Sequence, residues 1–145
     1  MSIYNLVGSI TGTSPATAST AVIAGTVANL QKYDEIHVEA DLVGATGGTL
    51  DVYIQRKLAN NLWRDWVHFT QLASGGAAVK HSVRHGAAAG LTVTGGGTDA
   101  APGVALAANA QVGGHPGTEI RVVCVAGTST SAGAAVTLRV FGLKK

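Results

Sequence analysis

From residue 35 to residue 42 the chain alternates without exception: Glu35, His37, Glu39 and Asp41 are polar, and Ile36, Val38, Ala40 and Leu42 are apolar. Successive side chains of an extended strand point to opposite faces of a sheet, so this segment reads as a half-buried strand. The same period returns after the turn residues 44–48, where Leu50, Val52 and Ile54 alternate with Asp51, Tyr53 and Gln55. These two strands are expected to pair as an antiparallel hairpin. Asn60-Asn61 marks the next turn, because Asn tolerates positive φ. The strand at residues 62–71 then sets Trp63, Asp65, Val67 and Phe69 on one face and Arg64, Trp66, His68 and Thr70 on the other. Further strands are expected at residues 3–10, 18–24, 77–85, 91–94, 118–126 and 134–143. No segment carries a capped 3.6-residue apolar period, and β-branched residues crowd the candidate strands. The expectation is an all-β fold: an antiparallel β-sandwich of jelly-roll type with about eight or nine strands, with a closed barrel as its nearest competitor. A length of 145 residues fits a single domain spanning residues 1–145.

Charge is scarce and unevenly placed. Asp, Glu, Lys and Arg make up 12% of the chain, about half the share usual in a soluble globular protein. Residues 1–31 contain no acid or base, and between His85 and Glu119 only Asp99 and His115 interrupt a long neutral stretch rich in Gly and Ala. A folded protein so short of charge is expected to be covered by a partner. Residues 1–15 are expected to form an extended N-terminal arm. Residues 86–117 read as a long, ordered excursion against a neighbouring subunit, with a floppy surface loop as the alternative, since disorder usually comes with high charge and low hydrophobicity. The glycines at 95–97 and 113–114 permit tight turns, but no Gly-Lys-Ser/Thr follows to make them a phosphate loop.

Several function classes are disfavoured. A net charge of +2, with ten Lys and Arg scattered along the chain, makes no basic stripe for direct nucleic-acid binding. The first residues lack the basic start of a secretory signal, and no apolar run reaches the roughly 20 residues of a membrane helix, so manufacture in the cytoplasm and no membrane partner are expected. Cys124 is the one cysteine, and its apolar alternating neighbours make it a buried structural thiol. His81 and His85 lie four apart, which in a strand separates them by roughly 13 Å, too far for one ion. His37, His68 and His115 have no neighbouring ligand at a recognised spacing, so no metal or other cofactor is expected. Glu35, Glu39, Asp41, Asp51 and Asp65 could in principle pair for acid–base hydrolysis, but acids on the polar side of an alternating strand are ordinarily its solvated face. Neither a G-x-S-x-G elbow nor a placed triad occurs, and no catalytic residue is assigned. Trp63 and Phe69 share a face and are read as core. That leaves Tyr53 and Trp66 as an exposed platform, suited either to an interface or to stacking on a glycan.

The segment YDEIHVEADLVGATGGTLDVYIQRKLANNLWRDWVHFTQ, residues 33–71, resembles small β-sandwich virion proteins of tailed bacteriophages, a loose group that includes capsid decoration, or cement, proteins. The likeness lies in the strand at 34–43, the strand Thr49-Leu50-Asp51-Val52-Tyr53-Ile54-Gln55, and Trp63 followed by Trp66-Val67-His68-Phe69-Thr70-Gln71. It covers about a quarter of the chain. Similar sequences often carry Asp-Gly-Gly before the tryptophan, where this chain has Lys57-Leu58-Ala59-Asn60-Asn61. The resemblance implies a non-enzymatic protein of the virion surface that binds the major capsid protein, bridges neighbouring capsomers and assembles as a homotrimer. Because the N-terminal arm and the Gly/Ala-rich segment are uncharged and could lie close against another chain, trimerisation is expected through one sandwich edge and the neutral loops, and capsid binding through the arm, at Ile3, Tyr4, Leu6 and Val7. A tail or neck structural protein and a carbohydrate-binding module are the alternatives.

Overall fold

The computed structural model describes residues 4–13, 21–43, 49–58, 61–69, 71, 78–84, 110–126 and 135–144. They form β1 (Asn5–Thr13), β2 (Ala21–Ala28), a short 3-10 turn (Leu30–Lys32), β3 (Glu35–Val43), β4 (Leu50–Lys57), β5 (Trp63–His68), β6 (Ala78–Arg84), β7 (Ala110–Gln111), β8 (Glu119–Ala126) and β9 (Ala135–Leu143). The strands make two antiparallel sheets, one in the order β1-β9-β3-β6 and the other β2-β8-β4-β5-β7. The expected all-β sandwich is therefore present. From β1 to β4 each strand lies in the opposite sheet from the one before it, and β8 and β9 return into the second position of each sheet. This order is consistent with the two Greek keys of a jelly roll. The turn at 44–48 and the strand expected at 91–94 lie outside the described residues, as does most of the 86–117 stretch.

Two expectations are corrected. The strands β3 and β4 do not form a hairpin: β3 lies between β9 and β6, whereas β4 lies between β8 and β5 in the other sheet. Alternation says which side of a strand is buried but not which strand is its neighbour, and two half-apolar strands bury their faces equally well across a core. Nor is the Asn5–Thr13 part of the expected arm a free extension: it is hydrogen-bonded along β9, from Asn5 opposite Gly142 to Thr13 opposite Ala135. A long neutral segment with β-branched residues gains more by completing a sheet, where its backbone groups are satisfied, than by leaving them to solvent. The β4–β5 hairpin forms as the Asn60-Asn61 signal indicated, with Asn61 at φ 59°.

The core lies between the sheets. Ile36, Val38, Ala40 and Leu42 of β3, with Val136, Leu138 and Val140 of β9, pack across from Leu50, Val52 and Ile54 of β4 and Ile120, Val122 and Cys124 of β8. Each Val, Leu or Ile removed from water here contributes about 1.5–3 kcal/mol. At the β1/β2 side the sheets meet through glycines. A Cβ on Gly8 would stand 3.1 Å from the Val27 methyls, one on Gly25 would stand 3.0 Å from an Ile10 methyl, and one on Gly12 would collide with Ala24. Ascending positions 8, 10 and 12 meet descending positions 27, 25 and 24, so β1 and β2 run antiparallel on facing sheets. At one end the Leu30 N–H donates to the Thr118 carbonyl at 3.0 Å. His115 accepts from the Gly117 N–H at Nδ1 and donates from Nε2 to the Tyr33 carbonyl, both at 3.0 Å. Tyr33 in turn lies over Gly142, where any side chain would enter its ring.

Candidate functional site

Two outward surfaces gather the polar and aromatic residues. On the five-stranded sheet, β4 turns Asp51, Tyr53, Gln55 and Lys57 away from the core, and register brings them beside β5 and β8. Tyr53 lies opposite His68 and stacks on it, with ring centroids 3.9 Å apart. His68 Nε2 is 3.0 Å from Asp51 Oδ1, and since a carboxylate only accepts, Nε2 carries the proton. The other Asp51 oxygen accepts from Gln71 Nε2 at 2.8 Å. One row along, Arg121 Nε donates to Gln55 Oε1 and Gln55 Nε2 donates to Asp65 Oδ1, both at 2.8 Å. The Arg121 guanidinium also stands 4.4 Å from the Trp63 ring centroid, and Lys57 reaches Glu119 at 3.1 Å.

This surface is electrostatically satisfied. Asp65 and His68 are only 7% and 5% exposed, and each has a partner in the rows just described, as buried polar groups must. Burial first, and then the Asp51 and Asp65 charges, push the Tyr53 hydroxyl up to about 12. Burial lowers the Arg121 guanidinium against the opposing pull of Asp65. Among the described residues of this surface, no nucleophile is set beside a base. Among the described residues no group of three His, Cys, Asp or Glu could hold a metal. His81 sits in β6 opposite Ala40, and His85 lies outside the described residues.

The two tryptophans exchange the roles expected of them. Trp66 is 0% exposed, and its indole Nε1 has no acceptor among the described residues, so it cannot act as half of an exposed platform with Tyr53. Trp63, expected in the core, is half-buried on the outer surface beneath Arg121. The cause is a bulge: Ile54 pairs with Val67 and Gln55 with Asp65, which leaves Trp66 as an extra residue. One extra residue breaks a period of two, so Trp66 and Val67 are both buried. Phe69 is in the core as expected. Cys124 is buried with its thiol pushed up to about 11 by desolvation, which keeps it protonated and inert.

The second surface is the outer side of the four-stranded sheet beside β1. The Tyr4 hydroxyl donates to the Glu35 carboxylate, and its ring meets His37 edge-on at 5.8 Å. His37 meets Phe141 edge-on at 6.1 Å. Leu6 lies opposite Phe141 in register and is 60% exposed. Val7 sits at a β1 irregularity between Leu6 and Gly8 and packs half-buried against the core. Ile3 lies outside the described residues. Two of the four proposed arm residues, Tyr4 and Leu6, thus share an aromatic and aliphatic strip with His37 and Phe141. Residue spacing could not have joined these last two, since they are more than a hundred positions apart and meet only through the β3–β9 register. No helix among the described residues is long and apolar enough to cross a membrane. No protein-family model matches this chain, and no curated protein matches it.

Proposed function

We propose that this chain is a non-enzymatic bacteriophage capsid decoration protein that binds the outer surface of the major capsid protein and bridges neighbouring capsomers as a homotrimer. One observation carries the reading. Leu6, 60% exposed beside Phe141, His37 and Tyr4, gives the neutral N-terminal segment, the expected capsid contact, an apolar contact strip. Strips of aromatic and aliphatic residues of this kind supply the anchors of protein interfaces. Many such contacts acting together would resist capsid expansion through multivalency. The protein would be made in the host cytoplasm and reside on the virion.

The test is occupancy on particles. Because Asn5–Thr13 is part of a sheet, a point substitution is cleaner than removal of the segment: Leu6→Asp should cut binding to expanded capsids at least tenfold with the fold retained. Undiminished occupancy would refute the reading. Binding to tails or necks in place of capsids would favour the other virion role. The carbohydrate-binding alternative loses support from the burial of Trp66, and a saturable tryptophan-fluorescence response to glycans would be needed to restore it.

A further inference from the structure

We infer that the β1/β2 flank of the sandwich is the surface through which copies of this chain associate, by antiparallel pairing of β1 of one copy with β2 of the next. This deepens the self-association in the proposed function and rests on that reading only for the existence of an assembly. Among the described strands, four border a sheet: β1 and β6 in one, β2 and β7 in the other. Unprotected edges invite pairing with another chain, and proteins usually guard them with charge, proline or brevity. β6 carries Lys80 and Arg84, and β7 has only two residues. β1 and β2, of nine and eight residues, contain no charge and no proline. Both unguarded edges lie on the same flank, brought together by Gly8, Gly12 and Gly25.

A second copy is the occupant these features fit. β1 and β2 are nearly equal in length, equally neutral and opposite in direction. A rotation axis running along the strands preserves each strand's direction, so it brings β1 of one copy beside β2 of the next in the antiparallel sense that a ladder needs. The same operation applied to the opposite flank would juxtapose the Lys80 and Arg84 positions with a two-residue strand, which offers little to pair with.

The test uses charges at Thr11 and Thr26, both exposed and on the two edges. The mass of the full chain in solution, followed by light scattering at tens of micromolar, should be a multiple of 14.5 kDa. Thr11→Lys with Thr26→Lys sets like charges across every β1–β2 contact between copies and should reduce the mass to that of the single chain, with an unchanged far-ultraviolet circular dichroism spectrum. Thr11→Lys with Thr26→Glu sets opposite charges there and should restore assembly. A monomeric wild-type chain would overturn the inference without any variant. So would loss of assembly in both double variants, which would mean β1 pairs with β1 and β2 with β2, or retention in both. An assembled wild type that ignores capsids would refute the decoration reading alone. A monomer that binds them would refute this pairing alone.

Discussion

The outer face of the five-stranded sheet and the β1/β2 flank handle polar groups in opposite ways. On the sheet face, side chains do the pairing: Asp51, His68 and Gln71 form one set, Asp65, Gln55 and Arg121 another, and Lys57 meets Glu119. On the flank, β1 and β2 contain no charge, and among the described strands each borders a sheet. A charged surface can thus be closed to partners because its charges are already used. The flank differs in that it holds, among the described strands, the two longest sheet borders, and neither carries a charge or a proline.

Substitutions sharpen that contrast. Trp66→Ala removes a fully buried indole from beneath the sheet face and should cost about 3–5 kcal/mol. Trp63→Ala loses a half-exposed ring under Arg121 and should cost about 1 kcal/mol. Urea denaturation of the two variants checks the pair; equal losses would mean the bulge assignment is wrong. At the flank, Gly12→Val drives a side chain into Ala24 and should cost about 1–3 kcal/mol by overpacking, read from the same denaturation midpoints. Replacing Gln55 by Leu strips the buried Asp65 carboxylate of a donor and should cost about 1–2 kcal/mol; a neutral result would show that the row does not act as a unit.

The alkaline limb gives a subtler test. Both Cys124 and Tyr53 are harder to ionise in the folded chain than their ordinary values of 9.0 and 10.0. The unfolded chain therefore releases these protons first. Their contribution is complete below the ordinary values and is lost as pH rises, from 9 to about 11 for the thiol and from 10 to about 12 for the phenol. Tyr53→Phe should flatten the upper part of this loss. A stability curve unchanged by that substitution would mean the phenol is no harder to ionise folded than unfolded.

What could be read beforehand followed from local chemistry. The apolar side of β3 and β4 was fixed by strict alternation, and Asn61 announced its turn. The pairing of these strands was not legible, because sheet neighbours are chosen over long sequence distances and β3 finds β9 a hundred residues away. A bulge in β5 leaves no distinctive residue, so parity predicted the wrong tryptophan for the surface. The neutral N-terminal stretch was visible from composition, but composition could not distinguish an arm from two border strands, since both are extended and uncharged. Of the contact strip, Tyr4 and Leu6 were named from the uncharged N-terminal stretch, and His37 and Phe141 needed the register.

Amide hydrogen exchange across the whole chain, compared between a dilute sample and the assembled protein, addresses the flank most directly. Assembly through the flank predicts slowed exchange confined to Asn5–Thr13 and Ala21–Ala28, with β6 and the outer face of β4 and β5 unchanged. Protection that appears instead along Ala78–Arg84, or nowhere on β1 and β2, would contradict it.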